Sequence, residues 1–391
     1  MRGRRIGAVF ALCAALTITT AAPALAAPGV CAGHEAPPGP AAVEEGPTPV
    51  APLPVPAEPV GGPLLGTCGD VLPPGAPAPP PTVTAAGWVI ADLDTGAVLA
   101  AHDPHGRQRP ASTLKLLTTL VVLQRLELDQ VVVGDVTDTQ VDGSRVGVGP
   151  GGQYTVGQLV SGLLLNSGND AAQALARTLG GVPATLDAMQ RKAAELGGLD
   201  TRPATPSGLD GPGMSTSAYD LALLLRAALR NPTFAELTAT KLVPFPGFGT
   251  HAGFTVSNDD PLLAAYPGAI GGKTGFTDAA RHTFVGAARR DGRRLVVALV
   301  RGEQHPVRMV AQAGALLDYG FALPAATRPV GTLVESAPRP PDTPEPRAAA
   351  AAASTAQPTV ATPAGWYVGG AAILLVAAGA VLFGLRRTGR R

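Results

Sequence analysis

Apolar positions in the middle of the chain change their spacing from one stretch to the next, and the changes predict a succession of elements. Ala86-Gly87-Trp88-Val89-Ile90-Ala91-Asp92-Leu93 is nearly unbroken apolar sequence, Asp94-Thr95-Gly96 interrupts it, and Ala97-Val98-Leu99-Ala100 resumes it. Two such runs about a short Gly-containing break read as a β-hairpin. From Ser112 to about Leu128, leucines and valines recur on a broad face, as in a buried helix. Val156 to Leu165, Ala171 to Leu179 and Ser217 to Leu229 predict further helices. Near the end, Thr283 to Ala288 and Leu295 to Val300 read as strands about an Asp291-Gly292 turn, followed by a helix from about Val307 to Leu317. Strands first and last with helices between predict an α+β fold, a mixed sheet with a helical subdomain inserted.

The two ends carry a different pattern. Met1-Arg2-Gly3-Arg4-Arg5 is basic, Ile6 to Ile18 is apolar, and Ala24-Leu25-Ala26 has the small-x-small form of a cleavage site. Residues 1–26 therefore read as a secretory signal peptide. Trp366 to Leu385 is a second uncharged apolar run. At ~1.5 Å per residue it reaches roughly 30 Å, the thickness of a bilayer's hydrocarbon core. Arg386, Arg387, Arg390 and Arg391 follow it. Positive charge stays on the cytoplasmic side, so 386–391 is expected to be a cytoplasmic tail and the bulk of the chain extracytoplasmic. Residues 27–81 and 335–365 are rich in Pro and Ala with few large apolar side chains. Such segments are not expected to offset their ordering entropy, which makes them an arm and a linker. One domain's worth of chain, 82–334, remains between them.

Composition narrows the function. Of 391 residues, 30 are Lys or Arg and 29 are Asp or Glu, leaving a net charge of +1. With no basic stripe in the folded region, nucleic acid is not an expected partner. The histidines, His34, His102, His105, His251, His282 and His305, are scattered without an H-E-x-x-H pair. Cysteine is too scarce for a zinc cluster, so no metal and no cofactor is expected. Cys13 would leave with the signal peptide, and Cys31 and Cys68 would remain. An even pair in an exported chain reads as a disulfide, with two unpaired thiols as the alternative.

The candidate chemistry begins at Ser112-Thr113-Leu114-Lys115. Residues three apart on a helix lie side by side. A serine hydroxyl becomes a nucleophile only with a base in hydrogen-bond reach, and a lysine serves when burial or a nearby cation lowers its pKa. Ser167-Gly168-Asn169 and Lys273-Thr274-Gly275 follow in the order such a site requires. Alone, the three stretches would be a helix surface pair, a turn and a strand end. The chain has four lysines, Lys115, Lys192, Lys241 and Lys273, and two of them fall in these motifs. Arginine could not replace them as proton acceptor. The ordered set points to a serine acyltransferase.

With Leu164-Leu165-Asn166-Ser167-Gly168-Asn169-Asp170-Ala171-Ala172, Thr205-Pro206-Ser207-Gly208-Leu209-Asp210 and Gly271-Gly272-Lys273-Thr274-Gly275-Phe276-Thr277-Asp278, the motifs resemble those of the D-alanyl-D-alanine carboxypeptidases among the low-molecular-mass penicillin-binding proteins. The resemblance covers about 84–325, and the Ala, Gly, Pro and Arg abundance is similar to actinobacterial relatives. It implies a penicilloyl-serine transferase fold: a five-stranded sheet flanked by helices plus an all-helical part. It implies removal of the terminal D-alanine from peptidoglycan stem peptides, with β-lactams as covalent inhibitors. Ser112 would attack, Lys115 would take its proton beside the Lys273 cation, and the N–H groups of Ser112 and Phe276 would hold the oxyanion. Ser167 would relay a proton to the leaving amine, and Asn169 would hold the substrate amide and orient Lys115. Lys273 and Thr274 would bind the terminal carboxylate, and Gly275 would let the substrate backbone approach. Ser207 and Asp210 are either supporting loop residues or substrate contacts; Arg281 and His282 are expected to be structural or solvated.

The chain departs from family members that carry a β-rich domain after the catalytic one, or an amphipathic helix lying on the membrane. Two other functions share the acylating serine. A β-lactamase of the commonest type needs a glutamate to activate the deacylating water, and Thr201 to Pro232 contains none. A membrane-tethered wall-binding or β-lactam-sensing module would need a partner for signalling, because the tail after Leu385 is short. An endopeptidase on cross-linked stems would use the same chemistry.

Overall fold

The computed structural model describes residues 31, 33–38 and 50–337. The expected signal peptide at 1–26, the apolar run at 366–385 and the basic tail at 386–391 lie outside them. No described helix is long and apolar enough to cross a membrane.

In chain order the elements begin with strands β1 (Asp70–Val71), β2 (Gly87–Asp92) and β3 (Ala97–His102) and helix α1 (Lys115–Arg125). Strands β4 (Val131–Val133) and β5 (Gln153–Thr155) lead into helices α2 (Val156–Leu165), α3 (Asn169–Thr178), α4 (Val182–Leu196), α5 (Ala218–Leu229) and α6 (Pro232–Ala239). A hairpin of β6 (Leu242–Phe245) and β7 (Phe254–Ser257) and the short α7 (Pro261–Ala265) precede β8 (Ala269–Thr277), β9 (Arg281–Arg290) and β10 (Arg293–Gly302). Helix α8 (Met309–Ala322) and β11 (Gly331–Thr332) complete the described part.

Local chemistry explains several boundaries. Thr155 and Gln158 close a capping box at the head of α2: Gln158 N–H donates to Thr155 Oγ1 at 3.1 Å and Thr155 N–H to Gln158 Oε1 at 2.9 Å. Ser217, expected inside the next helix, is instead the cap of α5 and accepts from Asp220 N–H. Asp291 and Gly292 both have positive φ, 48° and 78°. That is the geometry of a tight hairpin turn, and it fixes the β9–β10 register.

The sheet runs β1-β3-β2-β10-β9-β8, with β11 also paired to β3. Two expectations change here. The sheet has seven strands rather than five, because the short β1 and β11 extend a five-stranded centre. Nor is it mixed: every pairing in it is antiparallel. The strands come as hairpins, β2–β3 and β8–β9–β10, and the helical insertion returns the chain antiparallel as well.

Both faces of the sheet are covered, which explains why its strands read as unbroken apolar runs. Val89 and Ala91 of β2 and Val296, Ala298 and Val300 of β10 face the cluster with Leu117 and Val121 of α1 and Leu221 and Leu224 of α5. Ile90, Leu295, Val297 and Leu299 point the other way, against Ala313, Leu316 and Leu317 of α8. Each fully buried side chain of this size contributes about 1.5–3 kcal/mol.

The arm departs most from expectation. Val60, Leu65 and Val71 are buried in the domain's own core. Cys31 and Cys68 form a disulfide with Cα atoms 5.5 Å apart. Among the described residues the arm builds no core of its own; it borrows one, and buried polar groups of the domain bind its backbone. Arg107, 1% exposed, donates to the carbonyls of Glu35, Leu53 and Pro54. His105 Nε2 lies 2.9 Å from Val60 O, and Arg107 N–H donates to Gly33 O at 2.8 Å.

Candidate active site

The nucleophile candidate stands at a change of helix type. The expected single helix from Ser112 begins as a 3-10 turn, Ala111–Leu114, and becomes α1 at Lys115. Ala111 has φ +48°, a strained value for a residue with a side chain. The surroundings fix it there. Pro110 O accepts hydroxyls from Thr113 at 2.6 Å and from Thr283 of β9 at 2.8 Å. Two glycines crowd the same turn. A Cβ built on Gly208 would meet Ala111 O at 1.9 Å, and one on Gly275 would meet Ser112 N at 2.9 Å. The strand end and the Pro206-Ser207-Gly208 loop thus approach the Ser112 backbone as closely as only glycine allows.

Lys115 is fully buried, and three atoms surround its Nζ: Ser112 Oγ at 2.8 Å, Asn169 Oδ1 at 2.7 Å and Ser207 O at 2.7 Å. A neutral amine has two N–H donors and one lone pair. Asn169 Oδ1 and Ser207 O can only accept, so they take the two N–H groups. The lone pair is left facing the Ser112 hydroxyl. Burial, and after it the Lys273 cation, holds Lys115 well below the ordinary lysine pKa, against the opposing pull of Asp259 and Asp170.

Lys273 is also buried, with Thr274 O at 3.2 Å and Asp259 Oδ1 at 3.8 Å from its Nζ. Burial lowers its pKa too, but Asp259 and Asp260 counter the fall. Burial lowers both lysines, and at Lys115 the Lys273 cation adds to it while Lys273 is held up by Asp259 and Asp260.

The second motif sits at the α2–α3 junction. Ser167 is buried at φ +59°. Asn169 opens α3, and its amide is fixed at both ends: Oδ1 accepts from Lys115, and Nδ2 donates to Asp142 O at 2.6 Å. Asp170 accepts four backbone N–H groups, from Val146, Gly147, Val148 and Ala171 at 2.7–2.9 Å. It pins the 142–148 segment beside Asn169.

The third motif lies on β8, the end strand of the sheet. Phe276 pairs with His282 across the ladder, and their rings meet at a tilt of 36° with centroids 4.5 Å apart, Phe276 being 49% exposed. Arg281 forms a forked pair with Glu303, both contacts 2.9 Å. Arg281 and His282 thus brace the rim, while the Ser207 carbonyl, rather than its hydroxyl, reaches Lys115. Asp210 lies 3.8 Å from the buried Arg109, three residues before the nucleophile.

Sequence reasoning missed the Ser207 carbonyl and Asp259. A carbonyl carries no residue-type signal, though the Gly208 that follows it, at φ +85°, marks the turn that aims it. Asp259 belongs to none of the three motifs.

A family model described as D-alanyl-D-alanine carboxypeptidase matches residues 75–304. The D-alanyl-D-alanine carboxypeptidase DacB2 of Mycobacterium tuberculosis is 51% identical over 259 residues, 65% of this chain and 88% of that protein. A crystal structure of a D-alanyl-D-alanine carboxypeptidase from the same organism superimposes with a TM-score of 0.64 at 49% identity, covering 67% of this chain and 99% of that one. A Streptomyces DD-transpeptidase superimposes with a TM-score of 0.60 at 30% identity, covering 63% of this chain and all of that one. The chain belongs to the D-alanyl-D-alanine carboxypeptidase family.

Proposed function

We propose that this serine-type D-alanyl-D-alanine carboxypeptidase trims peptidoglycan stem peptides through an acyl-enzyme on Ser112. One observation carries the assignment: the Lys115 nitrogen lies 2.8 Å from Ser112 Oγ, with two pure acceptors, Asn169 Oδ1 and Ser207 O, at 2.7 Å to take the N–H groups of the neutral amine. The lone pair accepts the hydroxyl proton as Oγ attacks the carbonyl of the penultimate D-alanine. The backbone N–H groups of Ser112 and Phe276 hold the oxyanion that forms. Ser167 passes the proton to the leaving amine, Asn169 holds the substrate amide, and Lys273 and Thr274 bind the terminal carboxylate. Gly275 keeps the strand edge open for the substrate backbone. Water then releases the shortened stem.

β-Lactams, which present a strained amide to the same serine, acylate it and leave slowly. Rapid turnover, the β-lactamase reading, is disfavoured because Thr201 to Pro232 offers no glutamate to activate the deacylating water. The sequence further supports export by residues 1–26 and anchoring by 366–385, with the catalytic domain on the wall side. It also supports an extracytoplasmic role for the Cys31–Cys68 disulfide.

Intact mass after labelling with a fluorescent penicillin, followed by peptide mapping, tests the site. One penicilloyl group on the Ser112 peptide, and free D-alanine from a pentapeptide, are expected. Labelling or D-alanine release that survives Ser112→Ala overturns the nucleophile assignment, and fast loss of the adduct favours a β-lactamase.

A further inference from the structure

We propose that Asp259, outside the three motifs, is an electrostatic positioning residue whose carboxylate keeps Lys273 in its ammonium form and thereby sets the pH window of acylation. This rests on the reading of Lys115 as base and Lys273 as its neighbouring cation.

The Lys273 side chain has no solvent exposure, and Asp259 Oδ1 lies 3.8 Å from its Nζ. The Thr274 carbonyl at 3.2 Å and hydroxyl at 3.5 Å are neutral. Burial alone disfavours the ammonium, and Asp259 is the foremost group opposing that, ahead of Asp260. The same carboxylate acts on Lys115, where Asp259 and Asp170 both favour the charged amine against burial and Lys273. The charged groups facing the lysine pair are therefore Asp259 and Asp260 from the loop before α7 and Asp170 from α3.

These acids are not equivalent. Asp170 is committed to four backbone N–H groups. Asp260 caps α7 through Leu262 N–H at 2.9 Å, and burial raises its pKa to about 6. Asp259, with its side chain 43% exposed, secures its loop through its backbone: its N–H donates to Leu165 O at 2.8 Å. Asn258 Nδ2 fixes the same loop on Thr238 O at 3.0 Å and Thr240 O at 2.9 Å. Changing the Asp259 carboxylate leaves these fastenings intact.

The direction follows. Removing this negative charge lowers the pKa of both lysines. Acylation needs Lys115 neutral, so its acid limb moves to lower pH. It needs Lys273 charged, so its basic limb moves to lower pH too.

The test measures the acylation rate constant of the full chain with fluorescent penicillin from about pH 5 to about pH 10. In Asp259→Asn both limbs move to lower pH together, by at least about half a unit. Asp259→Glu restores the wild-type limbs. Roughly 1 M salt, where the screening length falls to ~3 Å, moves the limbs of wild type in the same direction and those of Asp259→Asn less. Limbs that stay in place, or a rate scaled equally at every pH, overturn the role of Asp259. Labelling that survives Ser112→Ala instead overturns the underlying reading, and this inference with it.

Discussion

Two of the clusters of buried charge in this domain differ in how their signs are arranged. At the site, the buried Lys115 and Lys273 repel each other's charge, with Asp259 3.8 Å from Lys273 Nζ and Asp260 and Asp170 also opposing the loss of a proton. Beneath the arm, His105 Nδ1 lies 2.7 Å from Asp200 Oδ2, and Arg107 Nε donates to Asp200 Oδ1 at 3.0 Å. Both ring nitrogens of His105 face acceptors, Asp200 and the Val60 carbonyl, so the ring carries two protons there. Burial pushes His105 down, but the Asp200 hydrogen bond and charge outweigh it and the pKa ends above the ordinary value. Opposite signs at contact distance lock charge in place and make a fastening. Like signs in the same dry surroundings force one group to give up its proton and make a base.

The largest way to break this contrast is to remove the base. Lys115→Met is expected to slow penicillin acylation about 10²–10⁴-fold, the usual worth of a positioned general base. The adduct still maps to Ser112 on long incubation. Stopped-flow labelling checks this, and a rate within threefold of wild type would assign the proton to another acceptor.

The matching change in the fastening acts on stability. Asp200→Asn leaves Arg107 and the His105 imidazolium without their shared anion. Breaking a buried pair in this way costs about 3–5 kcal/mol. Urea unfolding at neutral pH measures it, while the limbs of the acylation profile stay where they are. A variant that kept its stability but moved those limbs would mean that the two clusters are coupled.

The disulfide adds a smaller fastening to the same arm. The bridged residues are 37 apart, so reduction frees a loop whose closure is worth at most roughly 3–4 kcal/mol of chain entropy. The arm's carbonyls remain on Arg107 either way. Reduced protein is therefore expected to unfold at lower urea yet acylate at an unchanged rate. A comparison of both measurements with and without reductant separates the two.

The site was far more legible in the sequence than this fastening. The S-x-x-K, S-x-N and K-T-G motifs name residue types that the chemistry cannot replace, and the fold brings Asn169 Oδ1 within 2.7 Å of Lys115 Nζ. The hairpins and α2 also announced themselves, through Asp291-Gly292 and through Thr155 with Gln158. Helix α4 did not: its buried positions are Thr185, Ala188, Met189 and Ala193, too small and too mixed to stand out as a stripe. The β6–β7 hairpin has exposed Leu242 and Phe254 beside buried Phe245 and Val256, so its alternation is blurred. Composition misjudged the arm because it asks whether a segment can bury its own apolar surface. The Val60 and Leu65 side chains are buried by the domain, and Arg107 binds carbonyls that every residue has.

The mildest test lies at the edge of the fastening, where one like-charged pair survives. Asp220 Oδ2 accepts from Asp200 N–H at 2.9 Å and from the Thr201 hydroxyl at 2.7 Å. Burial, and then the Asp200 charge, raises its pKa to about 7. Its pKa is thus higher folded than unfolded, so the native state favours its proton. The stability this proton gives is whole below the unfolded carboxylate value, near 4, and is lost as pH rises through about 7. His105, also raised, loses its contribution with rising pH in the same sense. Asp220→Asn, which keeps an acceptor for Asp200 N–H and Thr201, removes the carboxylate's share. The unfolding free energy of wild type is expected to fall by about 3–4 kcal/mol more than that of Asp220→Asn between about pH 4 and pH 8. Parallel urea titrations across that range measure the difference. Equal slopes would show that Asp220 stays ionised beside Asp200, and that this cluster, like the catalytic one, tolerates an unrelieved pair of like charges.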